Sequence, residues 1–266
     1  MNPLWLALTL AVTPLPASDA IERAIVDLRL CTTVEDAVCQ SAPGRLAVWG
    51  ADAVPRLVTA FPELPLAGQI LAVAALARIE GRESSQALVA LAKTTSPTLR
   101  AVILNGLGGR GGKESDSTLM AALTAKEPNV RASAAEALGR SASERDLKRV
   151  VPALARVCGD RSEQVAVSAV ESLGLLGDAH AVPPLLGAMG SPRVSVRRAA
   201  VFAARSIRDA RVIGPLIELI RDEDPVVADD AVRALTALTG KFFGSDYVVW
   251  RDYWRDAKGK LEAPAP

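Results

Sequence analysis

Residues 181–209 read AVPPLLGAMGSPRVSVRRAAVFAARSIRD, and their spacing predicts one helix–turn–helix unit. The first helix carries Leu185 and the second carries Ala204, nineteen positions later. The same pair of anchors recurs as Leu57/Leu76, Leu88/Leu107, Leu119/Leu138, Leu154/Leu173 and Leu216/Leu235, with the same spacing of nineteen. Units follow one another every 31 residues, apart from one step of 35. A register kept over six units makes each unit a packing module stacked on the next. The longer step places four extra residues in GRSASERDLKRV (139–150), about one helical turn.

Composition agrees with such a stack. Half of the 266 residues are hydrophobic, with Ala and Leu abundant and alternating strand formers scarce, so the fold class is all-α. The 31 Lys and Arg balance 30 Asp and Glu, which argues against a general affinity for nucleic acid or anionic membrane. One His and three Cys support a zinc site poorly, since zinc takes about four such ligands. No cofactor or other metal site is expected. The run GLGGRGG (106–112) follows a helix rather than a strand and reads as a helix stop, not a phosphate loop.

Taken in order, residues 1–20 are apolar from Leu4 to Val12 and end in small residues and prolines, the pattern of a secretory signal cut after Ala17 or Ala20. No Lys or Arg precedes the apolar run, and a docked N-terminal helix is the alternative. The segment is short for a membrane span. Export to the periplasm or cell envelope is therefore expected, with a cytoplasmic location as the alternative. Residues 21–50 form an N-terminal helical cap, with Ile21, Ala24, Ile25 and Leu28 as its apolar stripe. In one unbroken helix Cys31 and Cys39 would stand about 12 Å apart, beyond the reach of about 7 Å that a disulfide allows. A bridge between them needs a bend, for which Thr33 is a candidate N-cap. An exported chain favours that bridge.

Residues 51–240 hold the six units. First helices start near Val54-Pro55, Val151-Pro152, Val182-Pro183 and Gly214-Pro215, and second helices near Pro97, Pro128, Pro192 and Pro225. The residue four before each second anchor is Ala72, Ile103, Ala134, Ala169, Ala200 or Ala231, and Gly108, Gly139 and Gly174 follow their anchors. Small residues in these columns predict close approach of neighbouring helices.

Segments such as PNVRASAAEALG (128–139) and VRRAAVFAARSIRD (196–209) resemble HEAT repeats, of the short type also found in phycobilin lyases. The resemblance covers about residues 51–240. It implies a right-handed α-solenoid whose second helices line a concave face used for protein contact. It also implies that Arg100, Arg131 and Arg197, seven before the second anchor, act as struts between repeats; a ligand-binding ladder, broken at Ala166 and Ala228, is the alternative. That column lies within about 20° of the buried direction, where a charge must snorkel or pair with an acid.

Residues 241–258 change character. Phe242, Phe243, Tyr247, Trp250, Tyr253 and Trp254 include six of the ten aromatics, and Tyr247, Trp250 and Trp254 share one helical face. A solenoid must cover its last apolar face, so this is read as a C-terminal cap, with Trp250 and Trp254 structural. A ligand cage is the alternative. Residues 259–266 are read as a flexible tail.

Cys158 stands in an apolar column and is read as a packing residue; His180 stands in a polar column and is read as a solvated helix start. Two positions before the second anchor is about 160° from it, on the opposite face, which the resemblance makes the concave one. That column is Ala74, Asn105, Glu136, Glu171, Phe202 and Arg233, with Arg198 and Asp230 flanking. Phe202, Arg198, Glu136, Glu171, Asp230 and Arg233 are the candidate partner-binding residues. Arg-rich unit five abuts acid-rich unit six, so mutual neutralisation competes with that reading. The favoured function is a non-catalytic, monomeric scaffold for a protein partner, with no nucleic acid bound and no stable membrane insertion after signal removal. A phycobilin lyase or isomerase-like enzyme, or a chromophore-binding protein, is the alternative.

Overall fold

A computed structural model of the protein describes residues 16–141 and 147–261. Most of the expected signal, the core of the four-residue insertion and most of the tail therefore lie outside the described residues. All the regular structure described is helical. The chain divides at Ser84/Ser85 into two compact units.

The first unit holds α1 (Ala17–Leu30), α2 (Ala37–Val48), α3 (Ala53–Ala60) and α4 (Leu66–Arg78). Helix α1 buries Ile21, Ala24, Ile25 and Leu28, the stripe expected of it. Helix α4 approaches the end of α1 so closely that a Cβ on Gly68 would stand 2.3 Å from the Leu28 carbonyl oxygen. Cys31 and Cys39 are joined by a disulfide, their Cα atoms 5.8 Å apart. The bend that allows this is not capped by Thr33. Asp36 is the N-cap instead, its carboxylate accepting from the amides of Val38 and Cys39 at 2.8 and 3.3 Å. An Asp oxygen satisfies two of the free amides at a helix start and sits well at the positive end of the dipole.

The second unit begins within α5 (Arg82–Thr94). It continues as α6 (Pro97–Leu107), α7 (Lys113–Ala122), α8 (Pro128–Ser141), α9 (Leu147–Val157) and α10 (Glu163–Leu176). It ends as α11 (Val182–Met189), α12 (Val194–Ile207), α13 (Ile213–Leu219), α14 (Pro225–Thr239) and α15 (Tyr247–Leu261). Second helices pack in series, α6 on α8, α8 on α10, α10 on α12 and α12 on α14. First helices back them, α7 on α8, α9 on α10, α11 on α12 and α13 on α14. Every predicted anchor from Leu88 to Leu235 is buried. Helix α12 starts at Val194, two residues after Pro192, whereas α9 departs from the proline reading: it begins at Leu147 and holds Pro152 inside.

The glycine column fixes how near the second helices lie. A Cβ on Gly139 would meet Ser172 at 2.7 Å, and one on Gly174 would meet Ala203 at 2.7 Å. Real Cβ atoms do not approach so closely, so neither position accepts a side chain without parting the helices. In the next unit the same column carries Arg205.

Helix α15 packs on α13. Trp250 is fully buried, and its indole N–H donates to the Gly244 carbonyl at 2.9 Å. Phe243 meets it edge-on at 4.8 Å between ring centroids. The Tyr247 hydroxyl reaches Glu218, 2.9 Å away, with Arg221 over its ring. Trp254 is half-buried against Gly214. Phe242, by contrast, is exposed and is no part of the cap.

Candidate functional site

The second-helix column two before the anchor faces away from the core. Asn105, Glu171, Phe202 and Arg233 are exposed, and Glu136 is half-buried. Phe202 keeps 47% of its surface in solvent. It lines a cleft of about 330 Å³ together with Arg205, Ser206, Arg208, Ala237 and Leu238. The cleft opens beside the position where Arg205 replaces glycine in the close-approach column. Arg208 ends α12 in the left-handed conformation (φ 55°), which Gly177 and Gly240 supply at the ends of α10 and α14. A side chain other than Gly, Asn or Asp is uncommon there, so the chain holds a guanidinium at this rim at some backbone cost.

The polar members of the face are partly tied to one another. The Asn105 amide donates to Ser133 at 3.3 Å and its carbonyl accepts from Arg140 at 3.1 Å. Ser168 donates to Glu136 at 3.0 Å. Burial, reinforced by the Glu136 charge, pushes the Glu171 carboxyl above its ordinary value.

Asp230 departs from its expected place. Only 4% of its side chain is exposed, held between Arg198 at 3.0 Å and Arg233 at 2.5 Å. Burial pushes its carboxyl up, but the two guanidiniums outweigh burial and hold it below the usual range. It is a buried brace between α12 and α14 rather than a contact residue. The helix wheel misses this because Arg198, from the preceding repeat, covers it. Units five and six thus neutralise each other in part, as Arg197 also pairs with Asp222 and Glu223. Arg205 and Arg208 have no ion pair among the described residues.

The strut column divides. Arg131 bonds Asp160 bidentately at 2.8 Å, and Arg197 does the same to Asp222 at 2.9 and 2.8 Å. Each guanidinium also donates to carbonyls of its own interhelical loop. Arg100 is not such a strut: it donates to the Thr95 carbonyl at 3.2 Å and meets no carboxylate among the described residues. The signal lies in a column not compared above, six after the first-helix anchor, which reads Glu63, Thr94, Ala125, Asp160, Ser191 and Asp222. Arg131 and Arg197 face Asp there, whereas Arg100 faces Ala125.

With the arrangement of hairpins and struts in place, the comparisons with known proteins decide the family. The HEAT-repeat model matches residues 64–139, 85–156 and 151–236, most of the chain.

The chain belongs to the HEAT-repeat family.

No curated protein matches this HEAT-repeat chain significantly. Among solved structures it is similar to the Escherichia coli protein YibA, with a TM-score of 0.56 and 14% identity over 91% of this chain and 98% of that one. It is also similar to an engineered protein, with a TM-score of 0.50 and 20% identity over 92% of this chain and 74% of that one. Both likenesses concern the fold, an all-α solenoid.

The two reactive-residue candidates of the HEAT-repeat chain sit apart from this face. Cys158 is half-buried rather than fully packed, and burial pushes its thiol up to about 12, leaving almost no thiolate at neutral pH. His180 is exposed, its ring Nδ1 2.7 Å from Asp178, which also caps the turn by accepting from the His180 amide. Among the described residues no group of three or more His, Cys, Asp or Glu is placed to hold a metal ion. None of the described helices is long and apolar enough to cross a membrane.

Proposed function

We propose that this HEAT-repeat protein is a non-catalytic scaffold that holds a protein partner on its concave, second-helix face, with Phe202 as the anchor. The observation that carries the reading is an exposed Phe at a cleft beside two guanidiniums, those of Arg205 and Arg208, that have no ion pair among the described residues. Large apolar area ringed by cations is the composition of interface hot spots, with Arg and aromatics enriched. Glu171 and Arg233 stand one repeat away on either side and form the rim; Glu136 extends the acidic end. Arg198 and Asp230 serve by bracing the floor rather than by touching the partner.

Phe202→Ala tests this directly. Half-exposed and off the core, the ring should add little to folding, so melting should stay almost unchanged. Partner affinity should fall by about 2 kcal/mol or more. A large drop in melting temperature instead, as a truncated core Phe gives, would sink the anchor assignment. Isolating the protein from its native source separates the alternative: a stoichiometric protein fits a scaffold, whereas a bound pigment points to a chromophore enzyme.

Export is the second half of the proposal. The apolar leader and the Cys31–Cys39 bond support it together, because disulfides persist in oxidising compartments. Intact mass of the native protein should show residues 1–17 or 1–20 removed, one disulfide and one alkylatable thiol, that of Cys158. A cut after Ala17 keeps the bond from Arg56 to the Ser18 carbonyl, and a cut after Ala20 removes it. A full-length chain with three alkylatable thiols would contradict both the cleavage and the bridge.

A further inference from the structure

The geometry points to a carboxylate-binding site at Arg100, in the cleft between the second and third repeats. Arg100 occupies the column that in two other repeats grips a half-buried Asp of the following repeat. Its counterpart is Ala125, which carries no acceptor in its side chain. The guanidinium is left with the Thr95 carbonyl, while its buried Nε has no protein acceptor. The Thr95 hydroxyl, also buried, has none either. Buried donors in folded proteins are almost always satisfied, and a guanidinium presents a planar fork that matches a carboxylate.

The place where Asp would stand is open. Arg100 lines a cleft of about 530 Å³ with Lys93, Ser117, Ala122 and Ala125, closed at its base by Leu104 and Val130. Lys93 is exposed at the mouth and adds a second positive charge. No acidic side chain lines the cleft. The neighbouring repeats supply the template: at Asp160 and Asp222 the same fork takes both carboxylate oxygens. A carboxylate entering from outside completes at Arg100 the pairing that the chain completes for itself elsewhere. It comes from a small organic acid or from an Asp or Glu side chain of a bound protein. The site does not depend on the Phe202 face and stands or falls separately from it.

The Nε–Hε resonance of Arg100, identified by its loss in Arg100→Lys, reads the site in the folded full chain. Titrated with sodium succinate at constant pH and ionic strength, it should shift saturably while those of Arg131 and Arg197 stay fixed. Ala125→Asp should move it towards the position of the two paired arginines without any ligand. The same substitution should weaken succinate binding at least about tenfold, the loss of one charge-assisted contact. Arg100→Lys, which keeps the charge but not the fork, should weaken succinate-induced thermal stabilisation similarly, should the Asp variant fail to fold. A blocked tripeptide Gly-Asp-Gly binding more tightly than succinate identifies a protein side chain as the source; the reverse order identifies a small acid. Three outcomes overturn the site: an Arg100 resonance unmoved by both probes, an Ala125→Asp variant that binds succinate as the parent does, or inorganic phosphate binding as tightly as either carboxylate.

Discussion

Trp250→Ala is expected to remove about 3–5 kcal/mol from the C-terminal end of the stack, the cost of deleting a fully buried indole. The loss has three parts. A large apolar area returns to water, the Gly244 carbonyl loses its donor, and Phe243 and Tyr253 lose the ring they pack against. Because stacked repeats couple to their neighbours, the effect should decay away from α15. Amide hydrogen exchange should show α13 and α14 deprotected most, with α8 and α10 almost unchanged. Retained protection across residues 210–240 would mean that the aromatics do not seal the stack.

Asp160→Ala is expected to cost a similar 3–5 kcal/mol for a different reason. Arg131 and Asp160 expose only 7% and 11% of their side chains, and removing the acid strands a desolvated guanidinium. The Ser162 amide loses its acceptor as well. Asp160→Asn keeps that acceptor and should lose less. Urea unfolding of the three proteins gives the order, and equal losses for Ala and Asn would show that the charge itself contributes little. The pair also sets a pH dependence. The Arg131 guanidinium, working against burial, holds the Asp160 carboxyl below its ordinary value. A lowered folded-state value contributes stability that is complete above about pH 4–5 and is lost as pH falls through the folded value. The parent should therefore lose stability in acid more steeply than Asp160→Asn.

These residues show how far the sequence could be read. The nineteen-residue spacing located every hairpin because an anchor buried within its own hairpin repeats with the hairpin. Phe202 was legible for the same reason: its angle to Ala204 depends on one helix alone. Asp230 was not, since what covers it is Arg198 of another repeat, and a single helical wheel knows nothing of its neighbour. The disulfide needed a bend whose presence the spacing demanded, but Asp36 rather than Thr33 makes it, because N-cap residues of similar propensity compete within a few positions. The Arg100 site was visible only by laying one column beside another, donors against acceptors. The cleft at Phe202 lies beside Arg205, in the column that is Gly in the three preceding repeats, and a cleft between two helices leaves no trace in either hairpin's own pattern.

The glycine contacts and the arginine struts have a mechanical consequence when the second unit is considered as a spring. The junction of repeats three and four is clamped twice, by Gly139 on Ser172 and by Arg131 on Asp160. The next junction keeps the contact of Gly174 with Ala203 and adds the Ser195 hydroxyl donating to Glu163. The last one has lost the glycine and is held by charges, Arg197 to Asp222 and Arg198 to Asp230. Under tension the junction beside Phe202 is therefore expected to respond through its side-chain ion pairs, with the cleft as its open side. Added salt softens an ionic hinge at its exposed edge and leaves a van der Waals clamp untouched. The stack is thus held differently along its length, by close contact at glycine in the middle and by charge where the cleft at Phe202 opens.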